Sequence, residues 1–334
     1  MRSRNRPIPG IVRLVLSGLI LLPIQGCGKR ESRPAAPTCA SGTRVSVPPR
    51  ESGKKSHVPA SPLARNGNVR LDWNIPTGLQ CKVAHAGLLK LSIATRVKVY
   101  NQPETTIPDQ QDVSWKKQYA DTYQLVKDRK PAHILRHIEQ DNYTSRNPQS
   151  NKPETQDLPT KDSTVTMTIK SDGTVELNQD ADPQVVDEFK KVRIGTLMPQ
   201  REVGIGEEWP VTEDQLKACF PLVTRGTGTL KLMKLELDPA LKQYVAEIAG
   251  ELSLECAITG QDGQTLPLQF QGKISVKQVP ALGLEILRKL DGAVIGQCPI
   301  KQGAVSGQLT IKGELHETVK SEPTACPSLA AVPE

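Results

Sequence analysis

The stretch YVAEIAGELSLECAI, residues 244–258, predicts the fold more directly than any other part of the chain. Apolar or small residues occupy every second position from Tyr244 to Ile258, and the other face carries Glu247, Glu251, Ser253 and Glu255. This period of two is typical of a β-strand with one buried face. Asp262-Gly263 then supplies a tight turn, and Leu266 to Lys277 repeats the alternation. The two stretches therefore predict a long antiparallel hairpin.

Three more strands are predicted around this hairpin. Thr229 to Leu237 precedes it, with a phase slip at Leu232-Met233 that is typical of a β-bulge, and Leu282 to Leu290 and Val305 to Leu315 follow it. Five successive strands with one apolar and one polar face predict an antiparallel meander. The predicted fold class is mainly β (α+β): a curved antiparallel meander sheet with a few short helices packed on one face.

Four glycines, Gly250, Gly272, Gly307 and Gly313, fall on the apolar face inside these predicted strands. Glycine in a strand interior is costly unless the sheet bends or another group approaches closely, so they predict a strongly curved sheet. Its concave face is then either covered by a predicted helix, Val185 to Val192, with the N-terminal strands, or left open for an apolar guest. The covered arrangement is expected, because a chain usually buries its own apolar surface.

The part of the chain before residue 144 gives mixed signals. Leu89, Leu91 and Ile93 alternate as in a strand. Trp115 to Lys127 carries bulky residues at intervals of three and four, which predicts a short helix. Ala132 to Asp141 fits a helix and a strand equally well. We therefore expect strands plus a short helix in this part of the chain.

Capping signals predict two helices farther along. Asp182 is a candidate N-cap, with Pro183 at the first helical position of the apolar stripe that ends at Val192. Thr212 and Gln215 have the spacing of a capping box for a shorter helix, which Pro221 would end.

Composition and turn signals divide the chain into six segments. The hairpin signal Asp172-Gly173, with alternation on both sides, lies near the start of the β-rich domain. The predicted segments are a signal peptide (residues 1–26), a disordered Pro-rich tether (27–67), an N-terminal part of the folded region (68–143), an exposed polar loop (144–163), an antiparallel β-rich domain (164–316) and a flexible tail (317–334).

The N-terminus combines a cationic leader with the short apolar run Leu14 to Leu22. The tetrad Ile24-Gln25-Gly26-Cys27 follows and resembles the lipobox of bacterial lipoproteins. The resemblance implies lipid attachment to the Cys27 thiol, cleavage before that residue, and an exported protein anchored at a bacterial cell membrane, facing the periplasm. Two other interpretations stay open: an uncleaved membrane helix, for which the run is short, and an ordinary signal peptide with a coincidental cysteine.

A second, fainter resemblance involves the turn around Val203, Gly204 or Gly206, and Trp209. It is similar to turns that precede the β-rich half of uncharacterised exported bacterial proteins. The resemblance covers only these residues and implies no activity. The two glycines lack the third glycine and the long helix of a dinucleotide-binding fingerprint.

Charge distribution argues against nucleic acid as a partner. The formal net charge is +7, but most of the basic excess lies ahead of the predicted folded region, whose own balance is mildly acidic. No basic face is therefore required of the folded part. The expected partners are the membrane, through the lipid anchor, and an envelope protein, the cell wall or an apolar ligand.

Signals for catalysis and metal binding are weak. His133 and His137 could share one helix face, but Ile134 stands where a zincin requires glutamate. The sequence contains no Cys-x-x-Cys, nucleophile elbow or Walker loop, and the 3% aromatic content offers few platforms for sugars. We expect no metal, no cofactor and no enzymatic activity.

Six cysteines remain once Cys27 is set aside, and their pairing cannot be deduced from the sequence. Three functional hypotheses stay open. The leading one is a non-enzymatic envelope lipoprotein acting as a binding or scaffold module. The alternative is a carrier of lipid or another apolar ligand in a curved half-barrel sheet, and the third is an unrecognised hydrolase.

Overall fold

The computed structural model describes residues 67–99, 103–146, 152–178, 182–189, 192–259, 265–302 and 305–325. The predicted signal peptide, almost all of the predicted tether and the lipid-attachment residue Cys27 lie outside the described residues, as do Cys39 and Cys326. The fold is mainly β and antiparallel with few helices, which confirms the predicted fold class.

Fourteen strands and two short helices make up the described chain. The strands are β1 (Val69–Arg70), β2 (Gln80–Val99), β3 (Thr105–Lys127), β4 (Lys130–Arg146), β5 (Pro153–Asp157), β6 (Thr164–Ile169), β7 (Val175–Leu177), β8 (Glu202–Val203), β9 (Glu208–Val211), β10 (Val223–Asp238), β11 (Gln243–Thr259), β12 (Thr265–Val279), β13 (Leu284–Gln302) and β14 (Val305–Ala325). The helices are α1 (Pro183–Phe189) and α2 (Glu213–Cys219).

Twelve of these strands form one sheet with the order β7-β6-β4-β3-β2-β14-β13-β12-β11-β10-β9, and β5 pairs with β4 at the side. The sheet consists of two runs of neighbouring strands, one from each half of the chain. They meet where β2 pairs with β14, the last strand, along almost its whole length. The predicted meander is thus confirmed as β10 to β14, and the predicted N-terminal segment extends the same sheet.

The buried apolar residues of the sheet form two clusters. The larger one combines the β10 to β14 half with parts of β2 and β3, and it includes Leu230, Phe270 and Ile311. The smaller one combines β4, β6, β7 and α1 with parts of β2, β3 and β11 to β13, and it includes Ile134 and Met167. The single sheet therefore has two apolar cores rather than one.

The predicted helix from Trp115 to Lys127 is wrong, because this segment belongs to β3. Trp115, Tyr119 and Tyr123 are four residues apart, a spacing that places side chains on one face of a strand as well as on one face of a helix. Each of the three lies opposite an inward-facing position of β4. The ambiguous segment from Ala132 to Asp141 is also strand, within β4.

The predicted polar loop and tail contain strand as well. The described part of residues 144–163 includes the end of β4 and the exposed β5, which pairs with it. The predicted flexible tail, 317–334, begins inside β14, which continues to Ala325 between β2 and β13. The alternation that ends at Leu315 in the prediction continues through Glu317 and Val319, and one of these inward positions is a charged residue.

Local signals were read correctly in several places. Gly173 has φ +82° in the turn between β6 and β7, as the hairpin signal requires. The β10 to β11 register shifts between Leu232 and Lys234, at the predicted bulge. Helix α1 begins at Pro183, and the capping box of Thr212 and Gln215 is formed at α2.

The four glycines lie close to the backbone of neighbouring strands. A Cβ at Gly250 would overlap the backbone of Thr229 on β10, and one at Gly272 would lie 2.8 Å from Gly292 Cα on β13. The glycines therefore permit close contact between neighbouring strands and do not lie under a helix. Helix α1 instead packs in the smaller cluster, beside β7, through Val185 and Phe189.

Candidate functional site

An apolar pocket of about 120 Å³ lies on the inner face of the sheet. Side chains from both halves of the chain form its walls, together with the segment from Phe220 to Val223 that connects α2 to β10. The wall residues from the sheet include Leu89, Trp115, Leu254, Phe270, Leu290 and Leu315.

The pocket shows that the sheet is strongly curved. Trp115 on β3 and Leu254 on β11 are separated by five steps between neighbouring strands, yet both line it. Neighbouring strands lie about 4.8 Å apart, so a flat sheet would hold them roughly 24 Å apart. A compact pocket of this volume cannot span that distance. The sheet must therefore wrap around it, and its inner face is concave, as the glycine pattern predicts.

Helix α2 and its capping interactions position one side of the pocket. The Gln215 side chain caps α2 and also donates to the Met198 carbonyl oxygen at 3.1 Å. Leu216 is fully buried in the larger cluster, and the Ala257 amide donates to the Leu222 carbonyl oxygen at 3.1 Å. These contacts fix both ends of the segment that carries Phe220, so this side of the pocket is held against β11.

One charged residue, Glu317, lines the otherwise apolar pocket. Its side chain is 14% exposed, and its carboxylate oxygens lie 3.5 Å from His85 Nε2 and 3.6 Å from an Arg288 nitrogen. Burial raises the pKa of Glu317, but the neighbouring His85 and Arg288 side chains outweigh this effect and lower the pKa overall. Glu317 is therefore ionised at neutral pH.

His85 links this carboxylate to the aromatic wall. The Trp115 indole N–H donates to His85 Nε2 at 3.2 Å, and the two rings meet edge to face. An indole nitrogen can only donate, so His85 Nε2 accepts in this arrangement and the imidazole proton lies on Nδ1.

Arg288 completes the polar side of the pocket. Its guanidinium lies between Glu317 and Glu285, at 3.6 and 3.7 Å, and 5.7 Å from the centre of the Phe220 ring. Its Nε is buried and has no hydrogen-bond partner among the described residues. These distances exceed the 2.7–2.9 Å typical of charge-assisted hydrogen bonds, so the cluster is loosely bonded.

A second, tighter ionic cluster lies farther along the inner face. Arg136 on β4 makes two hydrogen bonds of 2.7 and 2.8 Å to Asp121 on β3, and its guanidinium lies 3.8 Å from the Tyr119 ring centre. Burial alone would lower the pKa of Arg136, but the charge of Asp121 raises it overall. With its strong bonds satisfied, this cluster acts as a structural element.

The described cysteines, Cys81, Cys219, Cys256 and Cys298, are all free. Burial raises the pKa of both Cys81 and Cys219 to about 12. Cys256 lines the pocket, and burial raises its pKa to about 11. These three thiols are protonated at neutral pH and behave as small apolar groups.

The histidines considered as metal ligands do not come together. His133 and His137 lie four residues apart on a strand, so their Cα atoms are about 13 Å apart. His137 Nδ1 lies 2.9 Å from the Thr164 hydroxyl oxygen. The described residues contain no group of three or more candidate metal ligands. No helix in the described chain is long and apolar enough to cross a membrane.

The sequence predicts the apolar strand faces that carry Leu89, Leu254 and Phe270, but it does not predict three other pocket residues. Trp115 was assigned to a helix and Glu317 to a tail, and Phe220 had no predicted role. The continuing alternation of Leu315, Glu317 and Val319 was an available signal for the extra length of β14. Cys256 was correctly read as a small residue on the apolar face.

Comparisons with known proteins find distant structural similarity and no match in sequence. No family model matches the sequence, and no curated protein matches it. A structure of lipovitellin, solved to study its lipid–protein interactions, is 10% identical with a TM-score of 0.37, and the match covers 77% of this chain and 27% of that one. The chain thus spans about a quarter of lipovitellin.

Two bacterial proteins are also similar. An outer-membrane channel from Pseudomonas putida is 10% identical, with a TM-score of 0.17 and coverage of 74% of this chain and 97% of that one. The Pseudomonas putida toluene transporter TodX is 8% identical, with a TM-score of 0.17 and coverage of 73% and 90%. With TM-scores below 0.5, these similarities carry no argument about function.

Proposed function

We propose that this chain is a non-enzymatic binding module of the bacterial cell envelope and that its pocket binds an apolar ligand. The supporting observation is the set of apolar side chains around an open volume of about 120 Å³. A cavity of about 150 Å³ lined by such residues stays dry and takes up benzene, because water finds too few polar partners there. The pocket is thus large enough for a small hydrocarbon group.

The N-terminal leader supports the envelope location. If Cys27 carries lipid, the residues between it and the sheet would hold the pocket near the membrane from which an apolar ligand could enter. We expect the Cys27→Ser variant to leave the protein unprocessed or soluble, as judged by detergent partitioning and intact mass.

Cyclohexane binding to the full chain tests the proposed pocket. We expect a saturable rise in melting temperature and a saturable change in tryptophan emission, because Trp115 lines the pocket. At ten times the dissociation constant the stabilisation is about 1.4 kcal/mol. Trp115→Phe should remove the emission change while the thermal shift remains.

Cys256→Leu fills part of the pocket and serves as the blocked variant. Its matched control is Ser253→Leu, which adds a leucine to the exposed face of the same strand. We expect the blocked variant to lose cyclohexane binding and the control to keep it. Equal, non-saturating uptake by wild type and both variants would refute the pocket as a binding site.

The edge of β10 favours a second candidate function, docking of a protein partner. Strand β9 pairs only with residues 228–231, and no strand in the described ranges pairs with the later part of this edge. Met233 and Leu237 are each about half exposed there. An extended partner segment could add to this edge. Met233→Glu should abolish capture of such a partner from envelope extracts without changing cyclohexane binding.

A further inference from the structure

The polar side of the pocket bears on the kind of ligand it can hold, provided that the proposed apolar binding is correct. Glu317 is the charged residue on the pocket wall, and its two cationic neighbours lie at 3.5 and 3.6 Å. A well-formed charge-assisted hydrogen bond is about 2.7–2.9 Å long. The Glu317 carboxylate thus has accepting capacity that short bonds from these neighbours do not use.

The charge of the side chains around Glu317 favours a ligand whose polar end donates a hydrogen bond over one whose polar end accepts it. Glu317 and Glu285 face a single guanidinium, that of Arg288, and the imidazole of His85 accepts the indole N–H of Trp115 in its neutral form. With His85 neutral, this group of side chains carries a net negative charge. A carboxylate brought into the pocket would meet this charge at low dielectric, where like charges repel most.

We propose that the pocket selects an amphiphile with a primary amine or an alcohol as its polar end. The hydrocarbon part lies against the apolar wall formed by Leu89, Phe270 and Leu290, and the polar end donates a hydrogen bond to Glu317. The same pocket discriminates against a fatty acid of equal length. The pairing of β14 with β2 creates this specificity by placing Glu317 beside an apolar surface.

Four probes of similar size test this selectivity on the full chain at pH 7: hexylamine, 1-hexanol, hexanoate and cyclohexane. We expect hexylamine to bind about tenfold or more tightly than hexanoate, with 1-hexanol between them, because a hydrogen bond to a charged group is among the stronger ones. Dissociation constants come from tryptophan emission and thermal shift, with Cys256→Leu as the blank for non-specific partitioning.

Glu317→Gln removes the charge that carries the selectivity, and Glu314→Gln removes the same charge from the outer face of the same strand. We expect Glu317→Gln to weaken hexylamine binding about tenfold and to remove the preference for hexylamine over hexanoate. Glu314→Gln should change neither. If Glu317→Gln lowers the melting temperature markedly, the order of the dissociation constants of the three hexyl probes on the wild-type chain tests the selectivity by itself.

Two results overturn the selectivity. One is hexanoate binding to wild type as tightly as hexylamine, and the other is equal amine affinity in Glu317→Gln and Glu314→Gln. In either case saturable cyclohexane binding would still support the proposed function. Failure of cyclohexane and all three hexyl probes to bind would instead refute the apolar pocket, and the selectivity with it.

Discussion

Replacing Gly272 with alanine tests whether the inner glycines hold neighbouring strands together. The added Cβ would lie 2.8 Å from Gly292 Cα and 2.5 Å from Phe270 Cζ, and it would overlap the Asp291 carbonyl oxygen. Two of these atoms belong to the backbone of β13, which is paired on both sides, and the Phe270 ring is 4% exposed. None of the three neighbours can move away freely, so the substitution must separate β12 from β13 locally.

The expected cost follows from these contacts. Overpacking of a filled interior costs about 1–3 kcal/mol, and weakening one hydrogen bond between β12 and β13 adds about 1 kcal/mol. Alanine lowers the entropy of the unfolded chain and returns about 0.4–1 kcal/mol. The net destabilisation is therefore about 2 kcal/mol. For a folded region of this size it corresponds to a fall in melting temperature of about 4–8 °C.

Urea unfolding followed by circular dichroism measures this change, with Gln271→Ala on the exposed face of the same strand as control. We expect the control to stay within about 0.5 kcal/mol of wild type. A Gly272→Ala stability equal to that of the control would show that β12 and β13 have space for a side chain. The close strand contact inferred here would then be wrong.

Three further predictions concern the charged and thiol groups. Because the pKa of Glu317 is lowered from 4.5, its ionised form stabilises the folded state above pH 4.5, and this contribution disappears as the pH falls through the folded pKa. The difference in unfolding free energy between wild type and Glu317→Gln, measured in urea, should therefore shrink over the same fall in pH. With a pKa of about 11, Cys256 is thiolate in roughly one molecule per thousand at pH 8, so maleimide should label it slowly, and more slowly with cyclohexane bound; labelling unaffected by the ligand would contradict its place in the pocket. Asp121→Asn leaves Arg136 buried without its charge partner and should lower the free energy of unfolding by about 3 kcal/mol. Asp157→Asn, at an exposed pair with Lys161, should lower it by less than about 1 kcal/mol. Equal losses in thermal unfolding would show that the first pair is effectively solvated.

The C-terminal half of the fold was predictable because its signals are local. From residue 244 to residue 277 apolar and polar residues alternate, and Asp262-Gly263 separates the two runs. One face of each strand is buried and the other is exposed to solvent, so apolar and polar residues alternate in the sequence with a period of two. The capping box at Thr212 and the turn at Gly173 are equally local, and both were found.

The N-terminal half was less predictable because charged residues occupy inward positions of its strands and interrupt the apolar alternation. The pairing of β3 with β4 shifts register near Gln118 and again around Tyr123. Every second residue of β3 up to Tyr123 faces inward, but Lys117 and Asp121 are among them, so the apolar residues that remain are four apart, an interval that strands and helices share. The sequence alone therefore did not distinguish a strand from a helix between Trp115 and Lys127.

The pocket depends on long-range pairing that no local signal reveals. His85 and Glu317 become neighbours because β2 and β14 pair, although more than two hundred residues separate them in the chain. Apolar alternation indicated that these strands have a buried face, but it did not indicate which strands would be adjacent. The polar group beside the apolar wall could only be found once the sheet order was known.

The buried ion pair between Arg136 and Asp121 bears on the register of β3 against β4. Burying two charges is expensive, and a pair of apolar residues would often be as stable, so stability alone does not account for it. The pair lies in the part of β3 where the register shifts against β4. A slip of one residue would turn Asp121 to the outer face and leave Arg136 unpaired inside. The pair thus disfavours such a slip in the segment of β3 between its two register shifts, six residues after Trp115 on the wall of the pocket.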